Sequence, residues 1–344
     1  MTMTKLPHES VATTARKWFE KLAPYRRASN GRAAFELVLT FGLYAALTAA
    51  LYAAVLMGQY WALLALPLGA LLIVRLFIIQ HDCGHNSFLS TKKLNDWTGR
   101  ILGVLTFTPY DMWRRDHALH HAFSGNLEQR GTGGDITTLT LEEYKALSPS
   151  GKFWYRVYRH PFLLFALAPA YLYLLQHRIP FGQWTKKMPW VSTMGTNLGM
   201  IAFYGAIIAL VGWKAFLIVQ IPIICLGGSI GIWLFYVQHQ FDETHWSRKP
   251  EWTREHAALY GSSYYALPQP LMWFTGNIGV HHVHHLSARV PFYNLQKTLR
   301  AFPELKTMNR LGFIESFRCT RLALWDEARG RLLSFSQARA LMQA

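Results

Sequence analysis

Hydrophobic residues along this 344-residue chain gather in long runs rather than in short alternating or helical stripes. Phe35 to Met57 is almost wholly apolar, with one charge, Glu36, near its start. Tyr60 to Ile79 is a second such run, with Arg75 near its end. Each is long enough to cross a hydrocarbon core about 30 Å thick as a helix. Only Gly58 and Gln59 part them, which predicts a tight helical hairpin. Met194 to Val211 and Ala215 to Val237, parted by Gly212, Trp213 and Lys214, predict another. Pro161 to Leu175 is shorter and contains Pro169, and Ile101 to Phe107 is too short to cross.

Charge decides how these runs sit. Lys and Arg total 35 against 19 Asp and Glu, a formal net charge of +16. Positive residues collect on the cytoplasmic side of membrane proteins. Met1 to Arg32 is basic (Arg16, Lys17, Lys21, Arg26, Arg27, Arg32) and has no apolar core of a secretory signal. His177, Arg178, Lys186 and Lys187 follow the Pro161 to Leu175 stretch and mark that loop as cytoplasmic too. The stretch is therefore expected to be interfacial or re-entrant. The expected fold is an all-α integral membrane protein, one domain over residues 1–344. Four transmembrane helices form two hairpins, about 33–79 and 194–237. A helical cytoplasmic cap comprises 80–193 and 238–344, with both termini inside. The tail around Arg318, Arg321, Asp326, Glu327, Arg329 and Arg331 reads as a solvated amphipathic helix. The basic charge calls for membrane lipids and acidic partners, and no nucleic acid.

Composition excludes a disordered chain, a collagen-like fibre and a disulfide scaffold. Cys83, Cys225 and Cys319 are far apart and form no CxxC, so a cysteine zinc site is excluded as well. Histidine is the unusual residue: there are 15, mostly clustered. His81 and His85 stand at i and i+4, at the cytoplasmic mouth of the second run. His117, His120 and His121 stand at i, i+3 and i+4, and His281, His284 and His285 repeat that spacing. Each set shares a helical face, so its imidazoles can converge. Neutral imidazole is the commonest metal ligand, and eight are too many for one tetrahedral zinc. They suit two metals that keep open positions. No HExxH protease motif and no paired ExxH motif is present. His239, just after the last run, is a ninth candidate. His245 and His256 are weaker ones, and His8, His160 and His177 are read as solvent or interface residues. His282 points elsewhere on its helix, and with Asp116 and Asp135 it is a candidate to support the metal-binding rings from behind. Arg75 is expected to snorkel to the interface, with a polar contact under the metal site as the alternative.

The chain resembles the membrane fatty acid desaturases, specifically the bacterial delta-12 (omega-6) acyl-lipid type. The resemblance is carried by His81-Asp82-Cys83-Gly84-His85-Asn86-Ser87-Phe88, by Trp113-Arg114-Arg115-Asp116-His117 through His121, and by Asn277-Ile278-Gly279-Val280 through His285 to Pro291. It extends from about Phe35 to the Trp325-Asp326-Glu327 region. It implies a di-iron centre, two Fe ions held by His81, His85, His117, His120, His121, His281, His284 and His285, with His239 as the additional ligand. Phe235 stands where some relatives carry an outer Asn ligand. The implied reaction uses oxygen and two external electrons to convert adjacent methylenes of an acyl-lipid or acyl-carrier substrate to a cis double bond, oleoyl to linoleoyl. No flavin, nicotinamide, haem or iron–sulfur motif occurs, so the electron donor is expected to be a separate protein, an acidic ferredoxin.

Two other classes remain open at this point. The same iron core could hydroxylate or ketolate an acyl chain, alkane or carotenoid. A His-rich metal transporter would be no enzyme at all, but it should carry ionisable groups near the bilayer midplane, where these runs have none.

Overall fold

The structure, a computed structural model, describes residues 8–343. Met1–Pro7 of the basic leading segment and the side chain of His8 lie outside the described residues. Helix α1 (His8–Lys21) leads through a short turn to α2 (Asn30–Leu56), which opens on a Ser29 cap whose side chain accepts from the Arg32 amide. After Met57–Gln59 and a tight turn (Tyr60–Ala65), α3 (Leu66–Gly84) follows, with α4 (Lys92–Leu105) and α5 (Tyr110–Phe123) behind it. Strand β1 (Leu139–Thr140), α6 (Leu141–Ala146), α7 (Pro149–Tyr158) and α8 (Ala168–Leu174) precede two long helices, α9 (Lys187–Val211) and α10 (Trp213–His239). Gly212 alone separates those two, at φ 81°.

Among the described residues, four segments are long and apolar enough to cross a membrane: Asn30–Leu56, Tyr60–Gly84, Lys187–Val211 and Trp213–His239. They overlap the four hydrophobic runs and extend past them, so His81 and His239 fall inside the last turns of α3 and α10. The Pro161 to Leu175 stretch is not one of them. It forms a wide turn of helix (Leu163–Leu167) and then α8, and it packs on α10.

The polar residues inside these helices explain how the bundle holds together. In α2, Glu36, Thr40, Tyr44 and Thr48 recur every four residues and are buried, while Phe35, Val38 and Phe41 face outward. The Thr40 and Thr48 hydroxyls donate to carbonyls one turn back, at 2.7 and 2.8 Å. Tyr44 and Gln220 of α10 exchange hydrogen bonds at 2.8 and 3.2 Å. Where no water is available, such pairing is required of every polar group. Arg75 does not snorkel. It is 1% exposed, pairs with Glu36 at 2.5 Å, donates to Thr40 at 3.1 Å and to the Trp273 carbonyl, and lies 4.0 Å from the Trp273 ring centroid. A counter-charge on the neighbouring helix removes the need to reach the interface.

The rest of the cap is mostly helical but not all-α. It contains α11 (Arg254–Tyr260), β2 (Tyr264–Ala266), α12 (Gln269–Phe274), α13 (His281–Leu286), α14 (Phe292–Ala301), β3 (Arg310–Gly312) and α15 (Phe313–Cys319). It ends in β4 (Leu322–Asp326), β5 (Arg331–Ser334) and α16 (Phe335–Gln343). Strand β2 pairs in parallel with β3, and β4 lies between β1 (parallel) and β5 (antiparallel).

The predicted amphipathic tail helix is thus replaced by a buried hairpin. The apolar Leu322-Ala323-Leu324-Trp325 run is bounded by a turn in which Asp326 accepts from the Arg329 amide at 3.2 Å and Gly330 takes φ 57°. A short apolar run closed by a turn is a strand signal that outweighs the spacing of the flanking charges. Arg159 fastens this sheet to α10: it donates to the Leu322 carbonyl (2.8 Å), the Tyr236 hydroxyl (3.1 Å) and the Gln240 side chain (3.2 Å).

Candidate metal centre

Four elements deliver histidines to one place. Helix α3 brings His81 and, at its C-terminal cap, His85; α5 brings His117, His120 and His121. The last turn of α10 brings His239, and α13 brings His281, His284 and His285. The nine imidazoles fall into two groups, each able to hold a metal ion. His81, His85, His117, His121 and His284 form the first, and His120, His239, His281 and His285 form the second. In each, the ligand atoms lie within 4.8 Å of one another. The groups adjoin, with the His121 and His285 rings stacked at 4.2 Å between centroids.

The two i, i+3, i+4 boxes do not each converge on a single point, as their shared face had suggested. Each divides. His117 and His121 serve the first group and His120 the second; His281 and His285 serve the second and His284 the first. Helical geometry gives the reason. At 3.6 residues per turn, i and i+4 differ in azimuth by about 40°, while i+3 lies about 100° from i+4. The i, i+4 pair therefore stays together and the i+3 ring reaches across to the neighbouring group.

The nitrogen spacing fits metal ions. His117 Nε2 lies 3.0 Å from His85 Nε2 and 3.1 Å from His121 Nε2, which lies 3.1 Å from His284 Nε2. In the second group His281 Nε2 is 3.0 Å from His239 Nε2, and His120 Nε2 is 3.2 Å from His285 Nε2. With a metal–nitrogen bond of about 2.1 Å, adjacent ligands stand about 3.0 Å apart in an octahedron and about 3.4 Å in a tetrahedron. Burial holds His85, His117, His121, His281, His284 and His285 well below the usual imidazole range, and neighbouring imidazoles add to the effect. The rings are therefore neutral, the form that ligates.

Three of the rings are oriented from behind. His81 Nδ1 meets Asp82 Oδ1 at 3.2 Å, and Asp82 is itself fixed by the Phe292 amide at 2.6 Å. His120 Nδ1 meets Asp135 Oδ1, and His239 Nδ1 donates to the Gly261 carbonyl at 3.1 Å. Asp135 arrives on a loop pressed against α5. Gly133 takes φ 73° there, and a Cβ on it would stand 2.4 Å from the His120 amide nitrogen.

Of the three residues expected to support the rings, Asp135 contacts one, His120. Asp116 instead accepts from Gln183 at 3.5 Å, and burial raises its carboxyl above the usual range. His282 is buried outside both groups and donates to the Leu305 carbonyl at 3.0 Å, which ties α13 to the following segment. Asp82, whose contact with the adjacent ring depends on the α14 amide, has no spacing signal in the sequence. His245 and His256 meet edge to face, 4.4 Å between centroids, outside both groups.

Beside the histidines lies a cavity of about 240 Å³. His81, His117 and His281 form part of its wall, and Val74, Phe77, Ile78, Trp113, Leu234 and Phe235 supply an apolar lining. His177 also lines it. Read from the sequence as a solvent or interface residue, it is instead buried, with Nδ1 3.3 Å from the Phe107 carbonyl.

Comparison with known proteins agrees with this geometry. The sequence pattern of the family described as Fatty acid desaturase matches residues 59–316. A fatty acid desaturase of Bacillus subtilis is 38% identical over 330 residues, 96% of this chain and 93% of that protein. An sn-1 acyl-lipid omega-3 desaturase (ferredoxin) of Nostoc sp. is 26% identical, the match covering 66% of this chain and 63% of the relative. An sn-1 oleoyl-lipid 12-desaturase of Picosynechococcus sp. is also 26% identical, over 64% of this chain and 63% of its own length. With its apolar helices and clustered histidines, this chain belongs to the membrane fatty acid desaturase family.

Proposed function

We propose that the chain is an oxygen-dependent di-iron desaturase that introduces a cis double bond into a lipid-linked acyl chain, converting oleoyl to linoleoyl groups at the delta-12 position. The observation that carries this reading is the pair of imidazole groups beside an apolar cavity whose wall includes His81, His117 and His281. The five-histidine and four-histidine groups would each hold one iron. Bound iron supplies the oxygen activation that an unactivated C–H bond requires and that zinc cannot provide.

The chain's own residues do the rest. Asp82, Asp135 and the Gly261 carbonyl fix ring orientation. Phe77, Trp113, Leu234 and Phe235 exclude water and hold the acyl chain against the histidines. The Nostoc relative, an acyl-lipid desaturase named for ferredoxin, supports a lipid-linked substrate and a ferredoxin donor, and the Picosynechococcus oleoyl-lipid 12-desaturase supports the delta-12 position. The four long helices are read as two hairpins of the inner membrane, with the cap and its site in the cytoplasm, all within one domain.

The test is expression in a host supplied with oleate, followed by gas chromatography of its fatty acids. A new dienoic acid that depends on His120 and His284 is expected. A hydroxy acid would replace desaturation by hydroxylation, and an unchanged profile in iron-loaded cells would refute the proposal.

A further inference from the structure

A second, smaller pocket of about 20 Å³ adjoins the cavity and shares four of its wall residues: Val74, Phe77, Tyr173 and Gly231. Its other walls are Ile73, Thr106, Ile224, Gly227 and Gly228, so it lies deeper between α3 and α10, further from the histidines. Tyr173, on α8, stands at the junction. A Cβ on Gly228 would lie 2.7 Å from the Tyr173 ring, so only a glycine there lets the ring lie flat on α10. The Tyr173 hydroxyl reaches toward Gly231, 3.8 Å from where a Cβ on that residue would stand. The ring also packs edge-on against His177 at 5.3 Å.

We propose that Tyr173 is the floor of the acyl cavity. It stops the methyl end of the chain and so determines which carbons lie opposite the histidines. This rests on the desaturase reading above. Phe77 and Val74 lie four and seven residues before His81 on α3, which is about 6 to 10 Å of helix. An extended chain advances about 1.2 Å per bond, so this depth holds roughly five to eight C–C bonds beyond the reacting carbons. Behind the ring the small pocket already opens, and removing the ring joins the two spaces. A chain that rests on the floor would then slide inward. The double bond would move toward the carboxyl end, or longer chains would react at the same site. A side chain at Gly231 would raise the floor and do the reverse.

The experiment compares wild type, Tyr173→Ala, Tyr173→Phe and Gly231→Leu in a host fed acyl chains of graded length, with double bonds located by mass spectrometry. Tyr173→Ala should raise the ratio of longer to shorter product chains by on the order of tenfold, or shift the bond toward the carboxyl group; a methylene or two in an apolar pocket discriminates by about that much. Tyr173→Phe keeps the ring and should keep the wild-type pattern. Gly231→Leu should favour shorter chains, and it supplies an independent reading if Tyr173→Ala does not accumulate. An active Tyr173→Ala or Gly231→Leu enzyme with the wild-type chain length and bond position would overturn the proposal. Failure of the wild type to desaturate would instead remove the underlying function.

Discussion

Replacing Asp135 by asparagine tests the division of the histidines into two groups. The carboxylate contacts His120 Nδ1, and that contact leaves Nε2 free to face His285 at 3.2 Å. An amide of the same shape can present its N–H instead, which favours the wrong tautomer of the ring. Loss of a partner of this kind typically lowers metal affinity 10- to 100-fold, about 1.4 to 2.7 kcal/mol. The effect should be local. His120 belongs with His239, His281 and His285, whereas His81, His85, His117, His121 and His284 keep all their contacts.

The assay is iron content of the detergent-purified protein after equilibration with graded chelator. The variant should release one iron at 10- to 100-fold lower chelator and the other as in the wild type. Product formation should fall with the first release. Asp116→Asn is the control, because that carboxylate bonds Gln183 and should leave both steps unmoved. If both irons shifted together in Asp135→Asn, or neither did, the assignment of His120 to a separate group would be wrong.

Two further outcomes concern stability. Glu36→Gln leaves Arg75 charged and buried without a counter-charge, facing the Thr40 hydroxyl, the Trp273 carbonyl and the rings of Trp273 and Phe292; this should cost about 3 to 5 kcal/mol by denaturation in detergent. Arg75→Leu should cost less, because Arg32 still faces Glu36 at 2.5 Å, and equal costs would contradict this account. Burial, with Arg178 adding to it, lowers the His177 imidazole to about 4. The unfolded chain then takes up a proton first as pH falls below about 6.5, so stability is complete above that pH and declines toward pH 4, by about 3 kcal/mol for this group. His177→Gln should show an acid limb one proton shallower, and an unchanged slope would mean that His177 is not buried neutral.

The meeting of the histidine boxes was legible because rings that converge from one helix must repeat at i, i+3 or i+4, and few other causes produce that spacing twice. The helical runs were legible because bilayer thickness sets their length. What stayed hidden depends on partners distant in sequence. Arg75 reads as an interfacial cation until Glu36 is placed beside it on α2. The Leu322–Asp326 strand reads as helix because Arg318, Arg321 and Arg329 mimic a polar face; of its two pairing partners, β5 follows directly and β1 lies far upstream. Tyr173 carries no motif at all. Its position follows from Gly228 and Gly231 of α10, where the lack of a side chain admits the ring and its hydroxyl.

The interleaving of the boxes bears on how the enzyme is made. A chain emerging from the ribosome presents His81, His85, His117 and His121 early, which is all of the first group except His284. The second group at that moment has only His120, and it waits for α10 and α13. On the proposed function, nascent protein would hold four of the five imidazoles of one metal position and one of the four of the other, so the earlier position could be charged while translation continues and the later one only near its end.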